Sequence, residues 1–167
     1  STPNPAERNY AAGVTRRIDG WLRELGMPHR VVPDEELSRK TLSGAKVAVL
    51  TYNPDLPASE LAVLDAFLKR GGRLIVFYSA DPDLAKLMGL KLGPYKADPR
   101  ALRWTRMAFV EGALAGAPHT VYQRSRNIRP VTPRWKRGRV IAYWEDANGK
   151  RRDPAWVRTE AGFWMTH

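Results

Sequence analysis

Apolar residues recur at helical spacing near the start of the chain. Val14, Ile18, Leu22 and Leu25 are separated by four, four and three residues, which places them on one helix face. Asn4 ahead of Pro5, with Glu7 three residues after Asn4, is a variant capping box, and Gly26 is a natural stop. The next segment, "HRVVP", predicts a short strand, and "DEELSRKTL" a short helix or turn. "AKVAVLTYN" (45–53) is a continuous apolar run rich in β-branched residues and too short for a core helix, so it predicts a buried strand. In "PDLPASELAVLDAFLKRGG", Leu61, Leu64, Phe67 and Leu68 form a second helical stripe that ends at Gly71. "RLIVFYS" predicts another buried strand. Asp81 and Pro82 then supply a cap and first position for a third helix, closed by Gly89.

Buried strands alternating with amphipathic helices are the pattern of βαβ units. The expected fold is α/β, with a mainly parallel open sheet, helices on both faces and right-handed crossovers. After Gly93 the rhythm shortens. "RVIAYWED", a turn at "ANGK", "AWVRT" and "GFWMTH" predict hairpin strands added to the same domain. Residues 1–167 are expected to form one domain. Doubly wound domains usually open on a strand, whereas this chain opens on a helix cap. The expectation is an excised piece of a longer polypeptide whose first strand lies upstream. A sheet with no empty central position would argue against that.

Composition narrows the chemistry. An apolar fraction of 43% and six Trp residues fit a globular core, and no apolar run approaches membrane-spanning length. The chain has no Cys, which excludes disulfides, a Cys nucleophile and thiolate metal sites. Three scattered His residues give no metal-ligand spacing, and no metal or cofactor is expected. "STPNPAER" lacks the glycines of a flavin phosphate loop. The beginning of the chain does not read as a signal peptide, so a secreted or periplasmic location requires one upstream.

The net charge of +11 is uneven: residues 1–99 carry 14 basic and 12 acidic residues, and residues 100–167 carry 14 and 5. Arg124, Arg126, Arg129, Arg134, Lys136, Arg137 and Arg139 crowd one segment near Tyr122 and Trp135. Basic groups interleaved with aromatics suit nucleic acid or another polyanion; the plainer reading is a solvated loop in an Arg-rich chain.

"GGRLIVFYSADPDL" has the strand–turn–helix layout on which many α/β enzymes mount a nucleophile. Ser79 is the candidate. However, Phe77, Tyr78, Ala80 and Asp81 surround it instead of the small residues a sharp elbow needs, and no base is visible. The plainer reading is a strand-end hydroxyl bonding local backbone. Ligands of open α/β sheets bind beyond the carboxyl ends of the strands, which here predicts a rim of Tyr52, Asn53, Tyr78, Ser79 and Asp81.

The run from "VVPDEEL" through "AKVAVLTYNPDLPASELAVLDAFLKRGGRLIVFYSADPDLAKLMGL" resembles a class I glutamine amidotransferase-like, flavodoxin-like domain of the ThuA-like type. "GAPHTVYQRSRNIRPVTP", "VIAYWEDANGK" and "PAWVRTEAGFWMTH" are similar to its continuation in bacterial family-10-like glycosyl hydrolase proteins. The resemblance spans roughly residues 8–167. It implies a domain beside a barrel-type hydrolase domain of the same polypeptide, with carbohydrate as a possible ligand and homo-oligomerisation as a possible role. True amidotransferases carry a Cys at the elbow and a late His and Glu. This chain has neither the Cys nor a late His-x-Glu pair, so the resemblance implies a non-catalytic accessory domain. The alternatives are a hydrolase using Ser79 and polyanion binding through Arg124–Arg139.

Overall fold

A computed structural model describes residues 5–134 and 138–167. The first helix, α1, spans Pro5–Glu24. A 3-10 turn at Asp34–Glu36 precedes β1 (Val47–Leu50), α2 (Ala58–Lys69), β2 (Arg73–Val76) and α3 (Pro82–Leu87). Then follow β3 (Leu90–Leu92), β4 (Lys96–Ala97), β5 (Arg106–Phe109), β6 (Thr120–Val121), β7 (Asn127–Ile128) and β8 (Val131–Pro133). The last three are β9 (Arg139–Glu145), β10 (Arg151–Thr159) and β11 (Gly162–Met165).

The main sheet has the order β1-β2-β11-β10-β9-β5-β6. β1, β2 and β11 are parallel, and the remaining pairings are antiparallel. This is an α/β sheet with a parallel βαβ unit, extended by hairpins. Two of its pairings are parallel and four are antiparallel, because β10, β9, β5 and β6 extend the sheet beyond the parallel strands expected from the sequence.

The final strand-like run, "GFWM", occupies the middle of the sheet. Gly162 lets it dock there: its φ is +132°, and a Cβ at this position would lie 1.9 Å from the Leu74 carbonyl oxygen. The Leu74 N–H donates to the Ala161 carbonyl at 2.8 Å as the strands meet.

Two apolar clusters form the core. One joins Leu64 and Phe67 of α2, Leu84 of α3, Leu74 and Val76 of β2 and Trp164 of β11. The other joins Trp104, Met107, Ile128, Trp144 and Ala155 beneath the hairpins. The α2 stripe is therefore a core stripe, as its spacing predicts. α1 differs. Of its predicted face Ile18 is buried, Val14 and Leu22 are half-buried and Leu25 is 72% exposed; Trp21, which the prediction did not include, is 52% exposed. The expected cap, Asn4, lies outside the described residues.

Two strand expectations need correction. "HRVVP" does not form a strand, because no neighbouring strand takes up its backbone groups. "AKVAVLTYN" contains a strand, but at the sheet edge, where Val47 is 48% exposed and only Leu50 is buried. The strands within the sheet are contiguous, and β1 has a partner on one side only.

Candidate functional site

The carboxyl ends of β1 and β2 are laced together by backbone bonds. Phe77 N–H donates to Leu50, Asn53 N–H to Tyr78 and Ala80 N–H to Pro54. The parallel register pairs Val47 with Arg73, so continuing it sets Tyr52 opposite Tyr78. Their rings stack at 5.3 Å, 11° from parallel. Tyr10 of α1 meets Tyr52 edge-on at 5.1 Å, and the Tyr52 hydroxyl donates to Glu7 at 3.3 Å. The Thr15 and Thr51 hydroxyls, 2.7 Å apart, tie the same helix to the end of β1.

Burial, and next the Glu7 carboxylate, push the Tyr52 phenol up to about 12. Burial also raises the Tyr78 phenol, with Tyr95 adding to the effect and the Arg129 guanidinium opposing it. These phenols are neutral near pH 7. They offer rings and hydroxyls, and not a phenolate base. Arg129 Nε is buried without a hydrogen-bond partner. Tyr10 and Tyr95, 55% and 53% exposed, carry the open aromatic surface around the stacked pair.

Ser79 and Asp81 sit in the same corner but are inward-facing. Ser79 is 1% exposed, and its Oγ accepts the Asp81 N–H at 3.1 Å. Asp81 caps α3: Oδ1 accepts from Asp83 and Leu84, each at 2.8 Å, while Oδ2 accepts from Leu56 at 3.0 Å. One carboxylate thus holds both crossover loops in place.

The histidines are engaged elsewhere. His29 bonds Asp19 and the Met27 carbonyl, and His119 bonds Thr120. His167 Nδ1 lies 2.9 Å from Ser125 Oγ, a pairing reminiscent of a nucleophile and its base. Ser125 is 1% exposed, however, and its hydroxyl donates to the Asn127 carbonyl, so the contact ties the chain end to the β7 region. Burial lowers the His167 imidazole. Among the described residues no His, Asp or Glu cluster suits a metal ion.

The described arginines of the basic segment have separate surroundings, and Arg134 and Arg139 are exposed. Arg124 and Arg126 are exposed, and Arg129 approaches Tyr78. Arg134 donates to the Leu90 carbonyl and Arg139 to that of Ala113. Trp135, Lys136 and Arg137 lie outside the described residues.

The rim expected from the sequence named Tyr52, Asn53, Tyr78, Ser79 and Asp81; it did not include Tyr10, Glu7 or Tyr95, and it assigned Arg129 to the basic segment instead. The i, i+3 spacing of Glu7 and Tyr10 on α1 was the available signal for the first two. Nothing local marked the others.

Neither a protein-family model nor a curated protein sequence matches the chain. Solved structures do match in fold. A putative ThuA-like protein from Bacteroides uniformis superposes with a TM-score of 0.71 at 11% identity, covering 99% of this chain and 77% of that one. A glutamine amidotransferase from Thermotoga maritima gives 0.62 at 13% identity, over 90% and 68%. An alpha-L-fucosidase isoenzyme 2 from Paenibacillus thiaminolyticus gives 0.54 at 15% identity, over 75% of this chain but 21% of that chain. The fold is therefore ThuA-like and class I glutamine amidotransferase-like.

Proposed function

We propose that this chain is a non-catalytic accessory domain of a larger carbohydrate-active protein, with its tyrosine rim contributing to a sugar-binding surface. The observation that carries the reading is the Tyr10–Tyr52–Tyr78 group at the carboxyl ends of the parallel strands. Aromatic faces accept the apolar face of a sugar ring, while phenol hydroxyls, Glu7 and Arg129 supply polar partners around it. The likeness to a ThuA-like protein and to part of a fucosidase is compatible with a carbohydrate-related setting. The burial of Ser79 and the separate engagements of the histidines favour the accessory role over a Ser79 hydrolase.

The test is titration of the protein with mono- and oligosaccharides, followed by the NMR signals of the tyrosine rings. Saturable shifts are expected at Tyr10, Tyr52 and Tyr78. Tyr78→Ala should weaken binding about tenfold, in line with ring contacts worth about 0.5–1.5 kcal/mol. Saturable binding that leaves these rings unperturbed and survives Tyr78→Ala would overturn the rim assignment. Labelling of Ser79 by a fluorophosphonate probe, abolished in Ser79→Ala, would overturn the non-catalytic reading.

A further inference from the structure

Arg129 stands apart from arginines whose side chains are spent on the protein itself. Arg106 and Arg152 pair with Glu145 and Asp146, and Arg70 and Arg134 donate to the Leu42 and Leu90 carbonyls. The Arg129 Nε is buried, yet no acceptor of the protein lies within hydrogen-bond reach of it. Buried N–H groups are nearly always paired, and an unpaired one on a charged group is especially unfavourable. The residue as a whole stays partly open to solvent, so an anion can reach the guanidinium.

The backbone fixes where this side chain sits. Ile128 and Val131, on either side, are fully buried. The Arg129 N–H donates to the Thr166 carbonyl at 2.9 Å, directly after β11. β11 runs parallel to β2, and continuing the register that sets Trp164 against Val76 brings Thr166 level with Tyr78. Arg129 is therefore anchored at the same end of the sheet as the Tyr52–Tyr78 stack. The Pro130 carbonyl accepts from Gly93 at 2.8 Å, which draws in the loop that carries Tyr95. Arg129 and Tyr95 both act electrostatically on the Tyr78 phenol.

Charge is divided across the rim. On the α1 side the Glu7 carboxylate accepts from the Tyr52 hydroxyl. On the β11 side the cation is Arg129. We infer that the tyrosine rim takes an acidic sugar, whose carboxylate or phosphate substituent is bound by the Arg129 guanidinium while the ring lies against the exposed Tyr95. The inference rests on the reading of the rim as a sugar site and adds the class of sugar. A guanidinium presents its N–H groups as a planar fork that matches either anion. The excess of basic over acidic residues in 100–167, 14 against 5, adds a field of the same sign.

The test titrates the protein with glucose, glucuronate and glucose 6-phosphate, followed by the NMR signals of the tyrosine rings, with inorganic phosphate as the sugar-free control. At least one acidic sugar should bind about tenfold more tightly than glucose, as one charge-assisted contact implies, and the better of the two identifies the substituent. In Arg129→Gln the ratio of acidic to neutral affinity should fall to about one. Arg129→Lys keeps the charge and loses the fork, so it should retain part of the preference. Each ratio is taken within one variant, so a uniform weakening does not imitate the result. Equal affinity for glucose and both acidic sugars, with the rings shifting, overturns the inference and leaves the rim as a neutral-sugar site. A preference that survives Arg129→Gln also overturns it. Inorganic phosphate binding as tightly as glucose 6-phosphate overturns it in favour of a free anion. No ring shift with any of the three sugars overturns the rim reading itself, and this inference with it.

Discussion

Gly162→Ala tests how β11 is seated in the centre of the sheet. The added Cβ would lie 1.9 Å from the Leu74 oxygen and 2.9 Å from both the Leu74 carbonyl carbon and nitrogen. A relaxed carbon–oxygen contact is about 3.3 Å or more. The obstacle is the backbone of β2, a strand bonded on both sides, so no side-chain rotation relieves it. The φ of +132° adds about 1–3 kcal/mol of strain for a residue with a Cβ. Moving β11 away breaks the 2.8 Å bond from Leu74 N–H to Ala161 and leaves a buried donor unpaired, about 1–3 kcal/mol more. With partial loss of the Gly162–Leu74 and Phe163–Ile75 pairings, the expected destabilisation is about 3–6 kcal/mol. That is a large share of an ordinary domain stability of about 5–15 kcal/mol.

Urea unfolding followed by Trp fluorescence reads it, since Trp104, Trp144 and Trp164 are fully buried. The control is Gly112→Ala, where φ is +68° but a Cβ meets nothing within 4 Å, and the cost should be about 1 kcal/mol. A loss below about 1 kcal/mol for Gly162→Ala, or one equal to that of Gly112→Ala, would refute the seating of β11 against Leu74.

Two further outcomes follow from the polar groups. Asp81→Ala should destabilise by about 2–4 kcal/mol in the same assay, through the lost α3 cap and the unpaired Leu56 N–H, whereas Ser79→Ala should cost about 1 kcal/mol or less; equal losses would contradict the role given to the carboxylate. Acid should also remove two stabilising contributions in stages, read as the urea midpoint against pH, the first of them offset by His29, which the Met27 carbonyl and Asp19 hold above its ordinary value and which gains stability in acid. His167 is held below its ordinary value by burial, so its contribution is full above about 6.5 and is lost as pH falls from there through the lower folded value. Asp98 and Asp146 are held below the usual carboxylate range, chiefly by backbone N–H donors of Arg103 and Lys150 respectively. Their contribution is present above about 4 and is lost below it. His167→Gln should remove the first stage alone, and a first stage that persists in this variant would refute its assignment.

Elements whose signals are local were legible in the sequence. Asp81-Pro82 starts α3 because a carboxylate and a fixed proline φ do their work within one turn. The α2 stripe buries Leu64 and Phe67 because the turns of a 12-residue helix set which side chains share a face. The same logic failed for α1. Its periodicity is equally regular, but a stripe states only which residues are available for burial, not whether a surface lies opposite them. "HRVVP" and "AKVAVLTYN" show the same limit: apolar content marked both as strands, but the first finds no strand to pair with, and the second forms β1 with a neighbour on one side only, so it is not buried throughout.

The candidate site divides along the same line. Tyr52 and Tyr78 follow strands of the βαβ unit, so their place at the rim could be read from chain order. Their stacking depends on a register 26 residues apart. Tyr10, Tyr95 and Arg129 reach the rim from separate parts of the chain.

By itself, then, the sequence determined helices α1, α2 and α3, strands β1, β2, β9, β10 and β11, the Asp81 cap, the absence of thiol chemistry and the strand–turn–helix corner at Tyr78-Ser79. Each depends on residues within a few positions of one another. Only the tertiary structure decided that β11 lies beside β2, that β1 is an edge, that Ser79 faces inward and that four tyrosines surround one rim. Those outcomes rest on which distant segments find each other, and pairing across a sheet leaves no periodic trace in either partner.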